Sequence, residues 1–284
     1  MSELSHRHHT HLEQKNGWFD IDLKEVWRYR DLIWLFTKRN FILIYKQTVL
    51  GPAWIVLQPL MTTFIYTLVF GGIAGISTDG VPQVLFYMGG TAVWSFFAAC
   101  LNKTATTFTG NAGVFGKVYF PRLVSPISTV LSSAIDFGVQ LAMFLAFWGY
   151  YVITGQVSPN YWGIMLLPVI MLYLGLLGLG FGIIISSMTT KYRDLAMLVT
   201  FGVQLWMYIT PVVYPVSTLG NGGLYKLVML NPATCAVETF RWAFLGQGIV
   251  EPLYWGVSAV VMAVVVTLGV IVFSRVEKTF MDTV

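Results

Sequence analysis

The sequence predicts an all-α integral membrane protein with six transmembrane helices, an N-terminal amphipathic interface helix and a re-entrant helix pair between the last two spans. Composition is the first reason, because 56% of the 284 residues are hydrophobic and only 11% are charged. Soluble domains carry about 25% charged residues, so this chain cannot cover a water-exposed surface. The second reason is that apolar runs of about 20 residues, enough for a helix to cross the hydrocarbon, follow one another along the chain.

The first 19 residues are polar and contain all four histidines of the chain. We expect a disordered tail over residues 1–19. A metal site is the alternative, but the histidines have no accompanying cluster of cysteines or carboxylates. The histidines are His6, His8, His9 and His11.

Residues 20–48 have the pattern of an amphipathic helix that lies in the headgroup region of a membrane. Trp27, Trp34 and Phe41 recur every seven residues and form one stripe. Basic residues beside this stripe suit anionic lipid, while the aromatic side chains would point towards the acyl chains. Arg30 lies near the stripe and makes the pattern imperfect, so a soluble helix packed on a partner is the alternative.

The transmembrane domain is expected over residues 49–284. Its first span begins after Gly51 and Pro52, where the chain can turn from the interface helix into the bilayer. Pro59 should bend or loosen that span. The predicted spans are residues 51–73, 83–104, 126–153, 162–188, 195–214 and 254–274.

Lysine and arginine are distributed unevenly between the two sides of these spans. The connections 74–82 and 154–161 contain neither residue type, whereas the 105–125 connection contains Lys117 and Arg122. The positive-inside rule therefore places both termini in the cytoplasm, which agrees with an even number of spans. Cys100 and Cys235 fall on opposite sides, so we expect no disulfide between them.

The segment 215–253 is long for a connection and yet apolar and aromatic. Asn231 and Pro232 divide it into two short helices, about 221–230 and 233–247, that re-enter the membrane from outside. A seventh and an eighth span are the alternative, but each half is too short to cross. Glu238 and Arg241 stand three residues apart on the second helix, where they could pair with each other or project towards a passing substrate.

Two groups of residues inside the spans are functional candidates. Asp136 is a carboxylate within a predicted span, and such a charge is costly in a bilayer. It either has a functional role or is held by hydrogen bonds from the Ser132 and Ser133 region, since the sequence shows no second intramembrane ionisable residue for a relay. The aromatic candidates for a path that carries sugars are Trp54, Tyr66, Trp94, Trp206, Tyr208 and Tyr214.

The chain contains no recognisable nucleotide site, catalytic set or metal motif. Residues 111–118 approach a phosphate-binding loop, but Asn111 replaces its first glycine and Val118 replaces the hydroxyl residue that would hold Mg²⁺. We therefore expect no cofactor in this chain, and no nucleic acid as a partner. Residues 115–122 mix aromatic and basic side chains, which suits either docking to a soluble partner or a simple interfacial turn.

Four segments together resemble the membrane subunit of polysaccharide ABC exporters, the ABC-2 type permeases, especially those that export O-antigen or teichoic-acid chains. The resemblance runs from about Asp20 to the C-terminus. Its residues are 45–52 with Trp54, Gln58 and Pro59; Phe120, Pro121 and Arg122; residues 191–194; and Asn231 with Pro232.

The resemblance implies a half-transporter in the bacterial inner membrane. Two copies would form a channel at their two-fold interface, driven by two copies of a separate ABC ATPase that binds ATP and Mg²⁺. The substrate would be a glycan on an undecaprenyl diphosphate carrier. A membrane glycosyl- or acyltransferase and an ion-coupled secondary carrier are the rival hypotheses.

The resemblance also implies roles for particular residues. Those expected to meet the lipid headgroup are Arg28, Arg30, Lys38, Arg39 and Lys46. Those expected to couple to the ATPase are Lys117, Tyr119, Phe120, Pro121 and Arg122. Those expected to form the re-entrant gate are Asn231, Pro232, Glu238 and Arg241.

Overall fold

All the regular secondary structure in the described part of the chain is helical, which confirms the all-α prediction. The computed structural model describes residues 23–46, 51, 53–115, 120–189, 192, 194–220 and 222–280. The predicted tail, residues 1–19, lies outside them. The helices are α1 (Leu23–Arg28), α2 (Arg30–Tyr45), α3 (Ala53–Tyr66, continued by a π-helical segment Thr67–Ile73), α4 (Gln83–Ala105), α5 (Thr107–Phe115), α6 (Val124–Ile153), α7 (Tyr161–Ile164), α8 (Leu167–Thr189), α9 (Leu195–Ile209), α10 (Gly223–Leu230), α11 (Pro232–Leu245) and α12 (Pro252–Phe280), with a 3₁₀ turn at Val216–Leu219.

Within the described residues, five helices are long and apolar enough to cross a membrane, judged by length and composition. They are α3 with its π-helical continuation, α4, α6, α8 and α12. The predicted span 195–214 is shorter in the structure, since α9 ends at Ile209 after 15 residues. Thr210 has the extended φ and ψ of −82° and 137°, which the following Pro211 favours. At 1.5 Å per residue α9 is about 22 Å long, against a hydrocarbon core of about 30 Å.

The start of the fourth predicted span also changes. The span expected from residue 162 begins only at Leu167, because the chain first makes the single turn of α7. Pro168 then occupies the first turn of α8, where its missing N–H costs nothing. The first span does begin after a turn, since Gly51 has a φ of 49° that glycine adopts readily. That span stays α-helical through Pro59 and departs from α geometry only at Thr67–Ile73.

α4 is the central helix of the bundle, with most of its side chains buried. It packs against α8, where glycines allow a close approach of the two backbones. A Cβ atom on Gly178 would lie 2.7 Å from Cys100 Cβ, and one on Gly182 would lie 2.5 Å from Thr104 Cβ. Small residues four apart are the usual device for tight helix contacts in membranes, where apolar burial alone does not favour association. Cys100 is buried and free, as is Cys235.

The N-terminal region consists of two helices rather than one, because the chain turns at Tyr29. Val26, Ile33 and Phe36 belong to one buried cluster with residues at the starts of α5 and α6 and in the second halves of α8 and α12. The Thr37 hydroxyl is 3.3 Å from the Ser128 carbonyl oxygen of α6. This end of the bundle, which holds α2, α5 and the start of α6, is called the α2 end below. The tryptophan stripe faces outward, with Trp27 69% and Trp34 63% exposed.

The two short helices predicted in 215–253 are present as α10 and α11. Asn231 caps α11 by accepting a hydrogen bond from Ala233 N at 3.2 Å, and Pro232 fills the first helical position. Gly246 ends α11 with a left-handed φ of 71°. α11 is almost entirely buried and packs on α4, α7 and α12, so it is an integral layer of the bundle.

Candidate functional site

A polar cleft lies between α3, α4 and α6, within the helices that are long enough to span a membrane. Its volume is about 360 Å³. This is within the range of small-molecule sites, about 300–1,000 Å³. The residues that line it are Trp54, Ile55, Gln58, Pro59, Thr62, Thr91, Ser95, Phe96, Ala99, Lys103, Ser133, Asp136, Phe137 and Gln140.

The lining follows helical spacing on all three helices. Thr91, Ser95 and Lys103 stand on one face of α4, and Trp54 and Gln58 on one face of α3. Side chains four residues apart on a helix lie one above another, so each helix contributes a polar stripe to the same cleft. Hydroxyl and amide groups on membrane-spanning helices cost free energy in lipid unless they are hydrogen-bonded, so a shared cleft is a more favourable place for them than a lipid-facing surface.

An ion pair forms one wall of this cleft. Lys103 Nζ is 2.8 Å from Asp136 Oδ2, and the two side chains are 35% and 16% exposed. The conclusion that Asp136 has no ionisable neighbour in the membrane was wrong. Lys103 lies inside the predicted span 83–104, one residue before its end. Its place within that apolar run already marked it as a second ionisable residue in the membrane. The Ser133 hydroxyl, expected near the carboxylate, donates to the Thr129 carbonyl at 3.1 Å.

A second ion pair, Glu238–Arg241, lies on α11. Arg241 Nη1 is 3.0 Å from Glu238 Oε1, and the two side chains are 2% and 3% exposed. Arg241 also donates to the Val212 carbonyl at 2.8 Å and lies 3.8 Å from the centre of the Phe86 ring. The Ile249 N–H donates to Glu238 Oε2 at 3.0 Å. Burial raises the pKa of the Glu238 carboxyl, and the Arg241 charge acts in the opposite direction. Through the Val212 carbonyl and the Ile249 N–H, the pair joins α11 to the segment after α9 and to the segment before α12.

Asn231 connects the same layer to α9. Its amide nitrogen donates to Thr210 Oγ1 at 2.8 Å, and its amide oxygen accepts from Trp206 Nε1 at 3.0 Å. Sequence reasoning missed Asp79, whose carboxylate accepts a hydrogen bond from the Ser217 hydroxyl at 2.8 Å. This exposed contact joins the connection after α3 to the segment before α10, and the lone acidic residue in an otherwise uncharged loop was its only signal.

The five basic residues predicted to meet a lipid headgroup fall into two groups. Arg28, Arg30, Lys38 and Lys46 are exposed. Arg39 instead donates to the Asn111 side chain at 3.1 Å and stands 4.6 Å from the centre of the Phe36 ring. Arg39 thus fastens α2 to α5, and the other four basic side chains are accessible for an anionic headgroup.

The aromatic candidates are mostly packing residues. Trp94 is 5% exposed, and the Trp206 ring packs edge-on against Trp94 and Phe97 at 6.2 and 5.2 Å between centroids. The hydroxyl of Tyr66 is 3.7 Å from Met207 Sδ. Buried rings of this kind cannot line an open path, so the placement of Trp94 in a channel wall is corrected.

The three other aromatic candidates have different environments. Tyr214 donates to the Ile209 carbonyl at 3.1 Å, and Tyr208 is 52% exposed on α9. Trp54 is 45% exposed and lines the polar cleft. Of the aromatic side chains predicted for a sugar path, Trp54 is the one that lines the polar cleft.

The expected ATPase-coupling segment is partly described. Lys117 and Tyr119 lie outside the described residues. Phe120 is buried and packs edge-on against Phe36 at 5.5 Å, and Arg122 is 4% exposed. These two side chains therefore face the interior, which corrects their assignment to a docking surface. Pro121 is half-buried beside them, and Gly110 and Gly113 of α5 are exposed at the same end of the bundle.

Comparison with known proteins places this architecture in a family. The ABC-2 type transporter family matches residues 31–245. Two relatives from Klebsiella pneumoniae, each named O-antigen export system permease protein RfbA, are 25% identical over 253 residues, 89% of this chain and 94% of the relative. A Myxococcus xanthus protein of the same name is 27% identical over 235 residues, 81% of this chain and 87% of its own. The family match covers most of the chain and confirms the resemblance seen in the sequence: the chain belongs to the ABC-2 type transporter family.

Proposed function

We propose that the chain is the transmembrane subunit of an ATP-driven exporter that moves a polysaccharide such as O-antigen, linked to undecaprenyl diphosphate, across the bacterial inner membrane. The observation that carries this proposal is the alignment with O-antigen export permeases over more than four-fifths of both chains. The polar cleft inside an apolar bundle supports it, because a transporter for a hydrated substrate needs polar groups at membrane depth.

The exporter would be a homodimer with its channel between the two copies. Within one chain, nearly all of Ala53–Ile73 lies at the surface, because Ile55 and Thr63 are the buried residues of this span. On α9, Thr200, Gln204 and Tyr208 recur every four residues and are all exposed. A polar stripe of this kind is unfavourable against lipid, so a second copy or a water-filled channel is its favoured neighbour.

In this arrangement α9 completes six spans, both termini are cytoplasmic and the α2 end faces the cytoplasm. The exposed basic residues of α1 and α2 would then meet the diphosphate headgroup at the anionic inner leaflet. A separate ABC ATPase, carrying ATP and Mg²⁺, would dock at the α2 end, where Thr109, Gly110 and Gly113 of α5 are exposed. The outer layer of α10 and α11, held by Asn231 and the Glu238–Arg241 pair, would form the gate on the far side.

The ion-coupled carrier is the rival to which the structure adds an observation. Paired intramembrane charges are typical of such a carrier, and Lys103 with Asp136 is such a pair. Membership of an ABC transporter family favours ATP hydrolysis as the energy source nevertheless. The membrane glycosyl- or acyltransferase gains no comparable support.

The test is to delete the gene and restore it on a plasmid in cells that make the glycan. We expect loss of surface polysaccharide, accumulation of lipid-linked glycan inside the cell, and recovery with the plasmid. The tagged chain should also co-purify with the ABC ATPase encoded beside it. Unchanged surface polysaccharide after deletion, or export driven by a proton gradient in vesicles without ATP, would refute the proposal.

A further inference from the structure

We propose that the cleft between α3, α4 and α6 is a binding groove for an uncharged stretch of sugar chain, formed within a single copy of the protein. This inference rests on the proposed function and deepens it by placing the substrate against particular side chains. It also differs from the sequence expectation, which placed the sugar path along aromatic residues such as Trp94 and Trp206.

The shape of the cleft suits a polymer. Its lining on α4 extends from Thr91 to Lys103, about 18 Å of helix at 1.5 Å per residue. On α3 it extends from Trp54 to Thr62, about 12 Å. The groove is therefore elongated along the helices and covers roughly half of a hydrocarbon core of about 30 Å. A compact headgroup would need a rounder and shorter site.

The chemistry of the lining suits hydroxyl groups rather than a net charge. Gln58 and Gln140 each offer amide donors and an acceptor, and Ser95 adds a hydroxyl that can do both. Lys103 is the one cation among the described residues that line the cleft, and Asp136 neutralises it at 2.8 Å. An anionic headgroup would have to compete with that carboxylate, whereas a sugar hydroxyl can bond to both members of the pair.

One wall of the cleft is an aromatic side chain. Trp54 is 45% exposed at the α2 end of the groove. Its ring offers a flat apolar surface and an N–H donor, which matches a sugar ring with one apolar face and a polar edge. The polar stripes on the three helices and the accessible Trp54 ring together favour an uncharged sugar chain as the ligand.

Photo-cross-linking in cells that make the glycan tests the groove directly. Residues Gln58 and Gln140 are replaced, one at a time, by p-benzoylphenylalanine. The control is Ala142, which is exposed, two residues farther along α6 and turned by about 200°. We expect glycan adducts, detected by periodate–Schiff staining of the purified chain, at least fivefold above the control at both cleft positions. Equal or absent glycan adducts, or adducts containing only phospholipid, would overturn the inference.

Filling the groove gives a second test. Ser95→Trp places a large ring in the cleft, and Gly138→Trp places the same ring at an exposed position of α6 that does not line the cleft and has open space around it. We expect Ser95→Trp to lower surface polysaccharide at least tenfold while the chain still co-purifies with its ATPase, and Gly138→Trp to change export less than twofold. Normal export with Ser95→Trp would refute the groove and leave the proposed function standing. Failure of the wild-type gene to restore any polysaccharide would instead refute the proposed function. If Ser95→Trp does not accumulate in the membrane, the cross-linking result decides.

Discussion

Replacing Arg241 by methionine breaks the buried pair of α11 while keeping a side chain of similar length. The change removes the 3.0 Å contact with Glu238, the 2.8 Å hydrogen bond to the Val212 carbonyl and the stacking on Phe86. It leaves the Glu238 carboxylate only 3% exposed and without its cation. Removing one partner of a buried pair costs about 3–5 kcal/mol, chiefly because the remaining charge is uncompensated.

The predicted loss translates into a large thermal shift. For chains near this size 1 kcal/mol lowers Tm by about 2–4 °C, so Arg241→Met should lower it by roughly 6–20 °C. The assay is tryptophan fluorescence of the detergent-purified chain during heating. The double variant Glu238→Gln with Arg241→Met should recover most of the loss, because no buried charge is left unpaired.

An exposed pair of the same chain is the matched control. Arg30 and Asp31 are 4.0 Å apart, with side chains 65% and 97% exposed. Exposed pairs contribute about 0–1 kcal/mol, so Arg30→Met should change Tm by no more than a few degrees. Equal shifts for Arg241→Met and Arg30→Met, or a double variant less stable than either single variant, would refute the reasoning.

Three further predictions follow from the packing. Gly182→Val adds a Cβ that would lie 2.5 Å from Thr104 Cβ of α4. This variant should lower the free energy of unfolding by about 1–3 kcal/mol in the same assay. Gly138→Val has open space around it and should not. Asn231→Ala removes the cap of α11 and should cost about 0.5–2 kcal/mol, with α11 amides exchanging hydrogen faster; unchanged exchange there would contradict the capping role. Lys103→Met removes the cation that lies 2.8 Å from Asp136 Oδ2 at membrane depth, and should reduce both Tm and export. The double variant with Asp136→Asn should recover Tm, and no recovery would show that the pair is not the source of the loss.

The helices themselves were predictable because the membrane imposes simple rules on a sequence. A span needs a minimum apolar length and must satisfy its own backbone hydrogen bonds, so hydropathy located the helices that became α3, α4, α6, α8 and α12. The break between α10 and α11 was also readable, since Asn231 followed by Pro232 is a cap followed by the first helical position. Boundaries such as Ile209 were less certain, because apolar sequence continues beyond the helix to Pro211, Val212 and Val213.

The side-chain partnerships could not be read from the sequence. Lys103 and Asp136 lie on different helices, and only the packing of α4 against α6 brings them within 2.8 Å. Trp94 and Trp206 are side chains of the kind expected to line a sugar channel, but the structure packs them in and against the core. Hydropathy cannot separate these cases, because lipid and protein interior are similarly apolar and an aromatic side chain suits either.

By itself the sequence determined that the protein is helical, where most of its spans lie and to which family it belongs. These properties depend on length, composition and local motifs, which are set by residues that are close together in the sequence. The tertiary structure decided which polar groups meet: the cleft between α3, α4 and α6, the Lys103–Asp136 pair and the buried Glu238–Arg241 pair. Periodicity identifies the residues that share a face of one helix, but the neighbour that this face meets is set by the packing of the whole bundle.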